Sequence, residues 1–429
     1  MKVIIVGTGL AGTAAALAIR KAGHESILFD KIDLVEAVQK SNGGPVSLEF
    51  GEVGAGVVIQ TNGLRVLKRL GLLDQVIAAG FTDTDYMHLK QMDGGKPIKA
   101  QIGAQDPDPR LRHSVQLLRS KLHTILLKEC QTVGVKVYTG KKVEKISDVV
   151  GNHVQCQFAD GTTVEGDLIV GADGIHSMTR RLVYGEDSKA QFTGIMGYLG
   201  VTQLTGDLQF GESLTMNTDR VNKREITMCR LGDDKIGWTV TEFSEPRDDV
   251  SDTWRPYSNL PKESARLSEL VLSWGAPKNL SDIVASAKSI TPVAIYDLPD
   301  LPSFHKGRVA LIGDAAHGMR PNRGQGCNQA FEDAIVLADA LEAFSDAKDI
   351  SKALLVYDRV RMERAQKIAE EARVLSARTF ADTPFQANIA HLVTRIVLNV
   401  GNWTNGGGWI TQYDTTEDTY KAIEAVKRS

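Results

Sequence analysis

The feature that most constrains this chain is the run Gly7-Thr8-Gly9-Leu10-Ala11-Gly12, which follows the apolar stretch Val3–Val6 and opens a segment of good helix formers ending at Gly23. The spacing is G-x-G-x-x-G. Gly7 allows a tight turn, Gly9 lets backbone approach a pyrophosphate, and Gly12 lets helix and strand pack closely. The start of the helix then offers unpaired N–H groups to phosphates. Ser26–Phe29 reads as the returning strand. It closes at Asp30, 23 residues after Gly7, where a carboxylate accepts from a ribose hydroxyl and Lys31 follows. Strand, glycine turn, helix, strand and acid together specify a dinucleotide-binding unit, and leave nicotinamide and flavin both open.

Composition narrows the class. The 429 residues carry 50 Lys+Arg against 53 Asp+Glu, a net charge of −3, with basic residues scattered along the chain. Nothing there favours nucleic acid. Cys130, Cys156, Cys229 and Cys327 lie far apart, as in a reduced intracellular chain. The N-terminal apolar run is too short for a signal peptide. The most lipid-like stretch, Ile389–Val400, contains His391 and Arg395, so no transmembrane segment is expected. A cytoplasmic protein is the expectation, of an oligomeric state that the sequence does not give.

Helix-period and strand-period segments alternate at both ends, whereas the middle is mostly strand. The expected fold class is α/β: a Rossmann-like domain from residues 1–80, 103–182 and 291–345, an inserted β-sheet domain from 81–102 and 183–290, and a helical C-terminal region over 346–429. Asn62 is placed as the cap of a helix carrying Leu64, Leu67 and Leu70, and Lys31–Gly51 as a long excursion. The Arg-, Glu- and Ala-rich helix after Lys352 reads as a solvated face with internal i,i+4 pairs.

Two further motifs carry a resemblance. Gly307–His317 continues through Pro321, Gly324-Gln325-Gly326, Asn328 and Asp333-Ala334, and Asp167–Arg180 contains Asp173-Gly174. In order and spacing with the first motif, these resemble the GD and DG motifs of the single-component (group A) FAD-dependent monooxygenases, the aromatic-hydroxylase family. The resemblance spans nearly the whole chain and implies FAD as cofactor. It assigns cofactor contacts to Gly7, Gly9, Leu10, Ala11, Gly12, Asp30, Lys31, Gly56, Val57, Arg119, Asp173, Gly313, Asp314, Pro321, Gly324, Gly326, Cys327 and Asn328. Asp314 would meet the ribityl chain, and Gly324–Asn328 would set a helix N-terminus against the flavin pyrimidine edge. Pro321 would supply backbone beside the reacting edge, and Gly54–Val57 would run along the ring. His317 and His176 read as structural. The sequence departs from the family at Thr61, where proline is common, and at Leu199, where an Arg often follows an aromatic.

The activity implied is hydroxylation or epoxidation of a small aromatic or heteroaromatic substrate through a flavin C4a-hydroperoxide, with O₂ and NAD(P)H, the latter a transient reductant because no second glycine motif appears. No catalytic dyad is expected, since positioning and water exclusion carry such chemistry. Tyr198, Arg224, Met228 and Trp238 are the pocket candidates; Tyr198, Met228 and Trp238 read equally well as core packing, and Arg224 reads first as a solvated strand edge and second as a partner for an anionic substrate. Two other classes stay open: a flavin dehydrogenase or reductase without oxygen insertion, and a non-catalytic FAD-binding module. No metal-ligand spacing is found, and no metal is expected.

Overall fold

A computed structural model of the chain describes residues 1–32, 56–92, 94–149, 153–206, 208–245, 256–404 and 407–429. The excursion expected over Lys31–Gly51 falls almost wholly outside the described residues, as do Gly54 and Ala55. The glycine motif starts where expected. Lys2–Val6 is a strand and Leu10–Lys21 a helix, and Glu25–Phe29 returns parallel to the first strand.

These strands sit inside a six-stranded sheet of order His305–Lys306, Val309–Leu311, Leu168–Gly171, Lys2–Val6, Glu25–Phe29, Lys136–Tyr138, parallel except at the first. Its strands are short apolar runs because both faces are covered. One face packs on helices, through Val3, Ile5, Leu28, Leu168 and Val170 against Leu17, Phe331 and Val336. The other presents Ile4, Val6, Ile27 and Phe29 to a three-stranded antiparallel sheet contributing Val143, Val154, Cys156 and Phe158.

The second large sheet has seven strands in the order Ala287–Asp297, Gln191–Gln203, Lys235–Phe243, Arg224–Leu231, Leu214–Asp219, Tyr86–Gln91, Gly94–Gln101. One expectation is corrected here. The division at 290/291 cuts through a continuous strand, because Ala287–Asp297 pairs with Gln191–Gln203, across two register shifts, out to the Asp297–Gln191 pair. Helices Leu260–Ser273 and Lys278–Ala285 cover one face of this sheet, so the inserted segment is not strand alone.

Two more expectations change in the helical part. Gln60, not Asn62, occupies the N-cap position of Thr61–Arg69, and Asn62 is buried in the first turn. Its amide donates to Gln325 Oε1 (3.0 Å) and Glu332 Oε1 (2.7 Å). The helix after Lys352 is a single element, Ile350–Thr379, and it is not a solvated face. Arg361 is 0% exposed and pairs with Glu332 and with Asp333 (Nε to Oδ1 2.8 Å), while Arg364 adds a second cation to Glu332. A buried guanidinium needs charge partners from another element, and these two carboxylates lie on helix Gly326–Ala343.

Helix Pro384–Thr404 lies across one edge of the second sheet. Asn402 bridges the edge strand, donating to Lys99 O (2.7 Å) and accepting from Gln101 N (2.9 Å). Just before its start, Arg220 donates to Thr379 O (2.6 Å) and Ala381 N donates to Arg220 O (3.0 Å). Among the described residues no helix is long and apolar enough to cross a membrane.

Arg361→Met strips two buried carboxylates of their shared cation. The expected cost is about 3–5 kcal/mol of unfolding free energy, read from denaturant titration.

Candidate active site

The two large sheets enclose one cavity of about 1420 Å³ between them, closed on a further side by helices Ile350–Thr379 and Pro384–Thr404. Its walls differ in chemistry. Gly9, Leu10, Ala11, Gly56, Val57, Arg119, Asp314, Pro321, Gly324, Gly326 and Cys327 line one end.

At that end the glycines are needed for contact. Gly7 has φ +102°, and a Cβ there would collide with the carbonyl of Ala172; a Cβ on Gly12 would collide with Gly7 O. Gly9 differs, for a Cβ would meet nothing nearer than Arg119 Nη2 at 4.0 Å, so the space above it belongs to the cavity. Helices Leu10–Lys21 and Gly326–Ala343 both begin at this end with no side-chain cap. Their first N–H groups and positive dipole ends suit an anion. Asp314 is exposed to the cavity that it lines, and desolvation by the surrounding protein pushes its carboxyl up. No protein donor meets that carboxylate among the described residues, so it faces the cavity as an acceptor for ligand hydroxyls. An elongated ligand with an anionic centre and a polyhydroxyl chain fits these groups.

Other expected contacts are spent on the protein itself. Asp30 accepts from Thr8 N (2.8 Å) and Thr8 Oγ1 (2.7 Å), fixing the glycine turn, and Lys31 is exposed to solvent. Asp173 accepts from Ser177 Oγ (2.5 Å) and Thr179 N (2.9 Å), bracing the Ser177 N-cap of helix Met178–Tyr184; burial pushes its carboxyl up. Asn328 is fully buried. It accepts from Gln60 N (3.0 Å) and donates to Val58 O and Gly324 O, so it clamps the two cavity-lining segments together. Gly313, at φ +56°, packs under Ala11 and Ala330, and its N–H donates to Asp333 (2.8 Å). His317 lies buried, its Nε2 2.6 Å from the same carboxylate. Burial alone would raise Asp333, but His317 and Arg361 outweigh it and hold the carboxyl at about 2. Cys327 borders the cavity with its thiol pushed up to about 12 by burial, so it is no thiolate nucleophile.

The opposite wall is the bare face of the seven-stranded sheet; of the four pocket candidates Tyr198, Arg224 and Met228 lie off the cavity, whereas Trp238 borders it although its ring packs on the far face. Side chains alternate across a pleated sheet. Tyr198 (1% exposed), Met228 (0%) and Trp238 (1%) fall on the face that packs on helices Leu260–Ser273 and Lys278–Ala285. The Trp238 ring lies against Gly200 and its Nε1 donates to Thr202 Oγ1 (3.0 Å). Arg224 shares that parity and sits 5.2 Å over the Trp274 ring. The intervening positions line the cavity: Leu199, Leu214, Met216, Thr218, Glu225, Thr227, Cys229, Thr239 and Thr241. Leu199, the departure from the family pattern, is therefore a wall residue. Glu225 was not singled out by sequence. Its strand parity was the available signal, once one neighbour's face was known. Burial pushes Glu225 up to about 7, against weaker lowering by Thr227 and Arg220. His176 also borders the cavity, its ring edge-on to Tyr296 at 4.5 Å.

Known proteins match along this whole arrangement. The family model described as FAD binding domain matches residues 1–372. The FAD-dependent urate hydroxylase of Mycolicibacterium vanbaalenii is 29% identical over 395 residues, covering 90% of each chain. The 6-hydroxynicotinate 3-monooxygenase of Pseudomonas fluorescens is 26% identical over 373 residues, covering 86% of this chain and 89% of its own. Among solved structures, a salicylate hydroxylase substrate complex superposes with TM-score 0.74 at 25% identity over 98% of both chains. Klebsiella pneumoniae HpxO complexed with FAD and uric acid gives 0.73 at 20%, covering 100% of this chain and 97% of that one.

Two predictions follow from the pleat. Trp238→Ala is expected to cost about 3–5 kcal/mol of stability, whereas Leu199→Ala costs far less and changes ligand affinity; denaturant unfolding and ligand titration separate them. Glu225 titrates near 4.5 when unfolded and about 7 when folded. The stability it contributes is complete below the lower value and is lost as pH rises through the upper. Glu225→Gln should therefore stabilise the ligand-free chain at about pH 8 relative to about pH 5, measured by melting temperature against the parent.

Proposed function

From a chain that belongs to the FAD binding domain family, and is a flavoprotein monooxygenase of the class its three motifs resemble, we propose an NAD(P)H- and O₂-dependent oxygenase of a small aromatic or heteroaromatic substrate. The observation that carries this reading is the cavity between the two sheets, with a glycine-lined cradle suited to an anion at one end and a mostly apolar sheet wall at the other. When bound, FAD would supply the chemistry of O₂ activation, with NAD(P)H as its reductant and the substrate as the acceptor of one oxygen atom. For hydroxylation one C–O bond replaces a substrate C–H bond, the second oxygen leaves as water, and the electron pair consumed comes from NAD(P)H, which leaves as NAD(P)⁺.

The protein's part is to bind, orient and exclude water. The free N–H groups at Leu10 and Ala11 take the pyrophosphate, with Arg119 adding positive charge, and the Asp314 carboxyl holds the ribityl hydroxyls. The start of Gly326–Ala343, at Gly326 and Cys327, sets its positive dipole end against the pyrimidine edge. There it stabilises negative charge on the reduced ring. Pro321 and the Gly56–Val57 backbone bracket the ring edge. Asp30, Asp173, Asn328 and Gly313 act one step back, by fixing the loops that make these contacts. Helix Pro384–Thr404 lines the cavity with Ile389, Val393 and Val397, apolar groups suited to excluding water once a ligand fills it. Among the described residues no acid–base dyad lines this end, the His317–Asp333 pair lying buried behind it, and positioning chemistry requires none.

The test is NAD(P)H oxidation by the FAD-loaded chain under ¹⁸O₂, with and without a panel of aromatic and heteroaromatic compounds. One compound that accelerates flavin reduction and appears with a single ¹⁸O atom is the expected result. Accelerated reduction with an unlabelled, desaturated product would replace the oxygenase with a dehydrogenase.

A further inference from the structure

The sheet wall grades in polarity along its strands, and the grading has a direction. Three rows can be read from the register. Cys229 stands between Leu214 and Gly237; Thr227 stands between Met216 and Thr239; Glu225 stands between Thr218 and Thr241. The first row touches the cradle, since a Cβ on Gly56 would lie 3.2 Å from Cys229 Sγ and one on Gly237 3.2 Å from Gly56 N. Cys229 lies four residue steps along the strand from Glu225, roughly 13 Å at the usual rise. The wall thus runs from apolar beside the ring edge, through two threonines, to a carboxylate flanked by threonines.

That carboxylate is short of partners. Thr227 Oγ1, at 3.3 Å, is the one donor that meets it among the described residues. The nearby cations are committed elsewhere: Arg220 donates to Thr379 O, and Lys223 pairs with Asp382 at 3.5 Å and lies over the Phe243 ring. Enclosed acidic side chains are ordinarily paired. An under-satisfied acceptor on a cavity wall is shaped for a donor brought by the ligand, and it rejects a ligand that leaves it bare.

We propose that the substrate is an elongated, mostly apolar aromatic or heteroaromatic molecule whose far end carries an N–H or O–H group donated to the Glu225 carboxylate. Leu199, Leu214 and Met216 flank its body, and the end opposite the donor lies at the ring edge. The proposal rests on the oxygenase reading only for what happens at that reacting end. Glu225 is a specificity residue for binding, with no part in oxygen transfer.

The experiment titrates the FAD-loaded full chain with matched probes and follows the flavin absorbance shift, a readout independent of turnover. The pairs are 4-phenylphenol against 4-methoxybiphenyl, and 2-phenylindole against 1-methyl-2-phenylindole. The parent is expected to prefer each donor-bearing probe by about tenfold or more, and Glu225→Leu to bring that preference within about twofold. FAD content reports whether each variant folds. If Glu225→Leu loses FAD, Glu225→Gln decides, since its amide keeps an acceptor but not the charge and should weaken the preference. The proposal is overturned by no preference in the parent, by an undiminished preference in the deciding variant, or by no donor probe perturbing the flavin at its solubility limit. An intact preference with no ¹⁸O in any product would instead overturn the oxygenase reading and leave the Glu225 anchor standing.

Discussion

The Asp333 carboxylate is the point on which the rest of the molecule depends. One oxygen accepts from Gly313 N and meets the His317 ring, and the other accepts from Arg361 Nε. Three elements converge there: the turn after strand Val309–Leu311, helix Gly326–Ala343 and helix Ile350–Thr379. Glu332, one residue earlier, repeats the arrangement with Arg361, Arg364 and Asn62. Burying so many charges costs desolvation that hydrophobic residues would not incur. Their gain is geometric. They fix where Gly326 begins its helix and where Asp314 presents its carboxyl, and both must be held within fractions of an ångström for a bound ring to react.

Arg180 does the same from the other side. Fully buried, it donates to Ser188 O (2.8 Å) and Ala316 O (2.8 Å), tying the Asp173-Gly174 motif to the short helix that starts at Asp314. Asp30, Asp173 and Asn328 belong to the same class of residue. Their motif positions are close to the cofactor in sequence logic, yet their side chains are engaged by backbone and hydroxyl groups of the protein. A motif marks what a loop needs in order to hold its shape, and only part of that need is contact with the ligand.

This explains how much was legible in the chain. The glycine cradle was readable because close backbone approach admits one residue type, and Gly7 and Gly12 have no sterically tolerable substitute. The parallel sheet was readable because short apolar runs alternate with helices. The substrate wall was not. Tyr198, Met228 and Trp238 are conspicuous residues, but face is decided by strand parity, and parity needs a reference from the opposing layer. Arg361 was misread for a related reason: a helix rich in Arg and Glu looks solvated until the carboxylates it meets, 28 and 29 residues away, are brought beside it.

The alternation of the seven-stranded sheet has a consequence for descent. Positions that hold the helices and positions that line the cavity are interleaved one by one, so neighbouring codons answer to different demands. Mutations at Leu199, Thr227 or Thr239 can try new ligands while Tyr198, Met228 and Trp238 keep the layer closed. A sheet built this way can diversify its chemistry without first becoming unstable, because drift on one face is nearly invisible to the other.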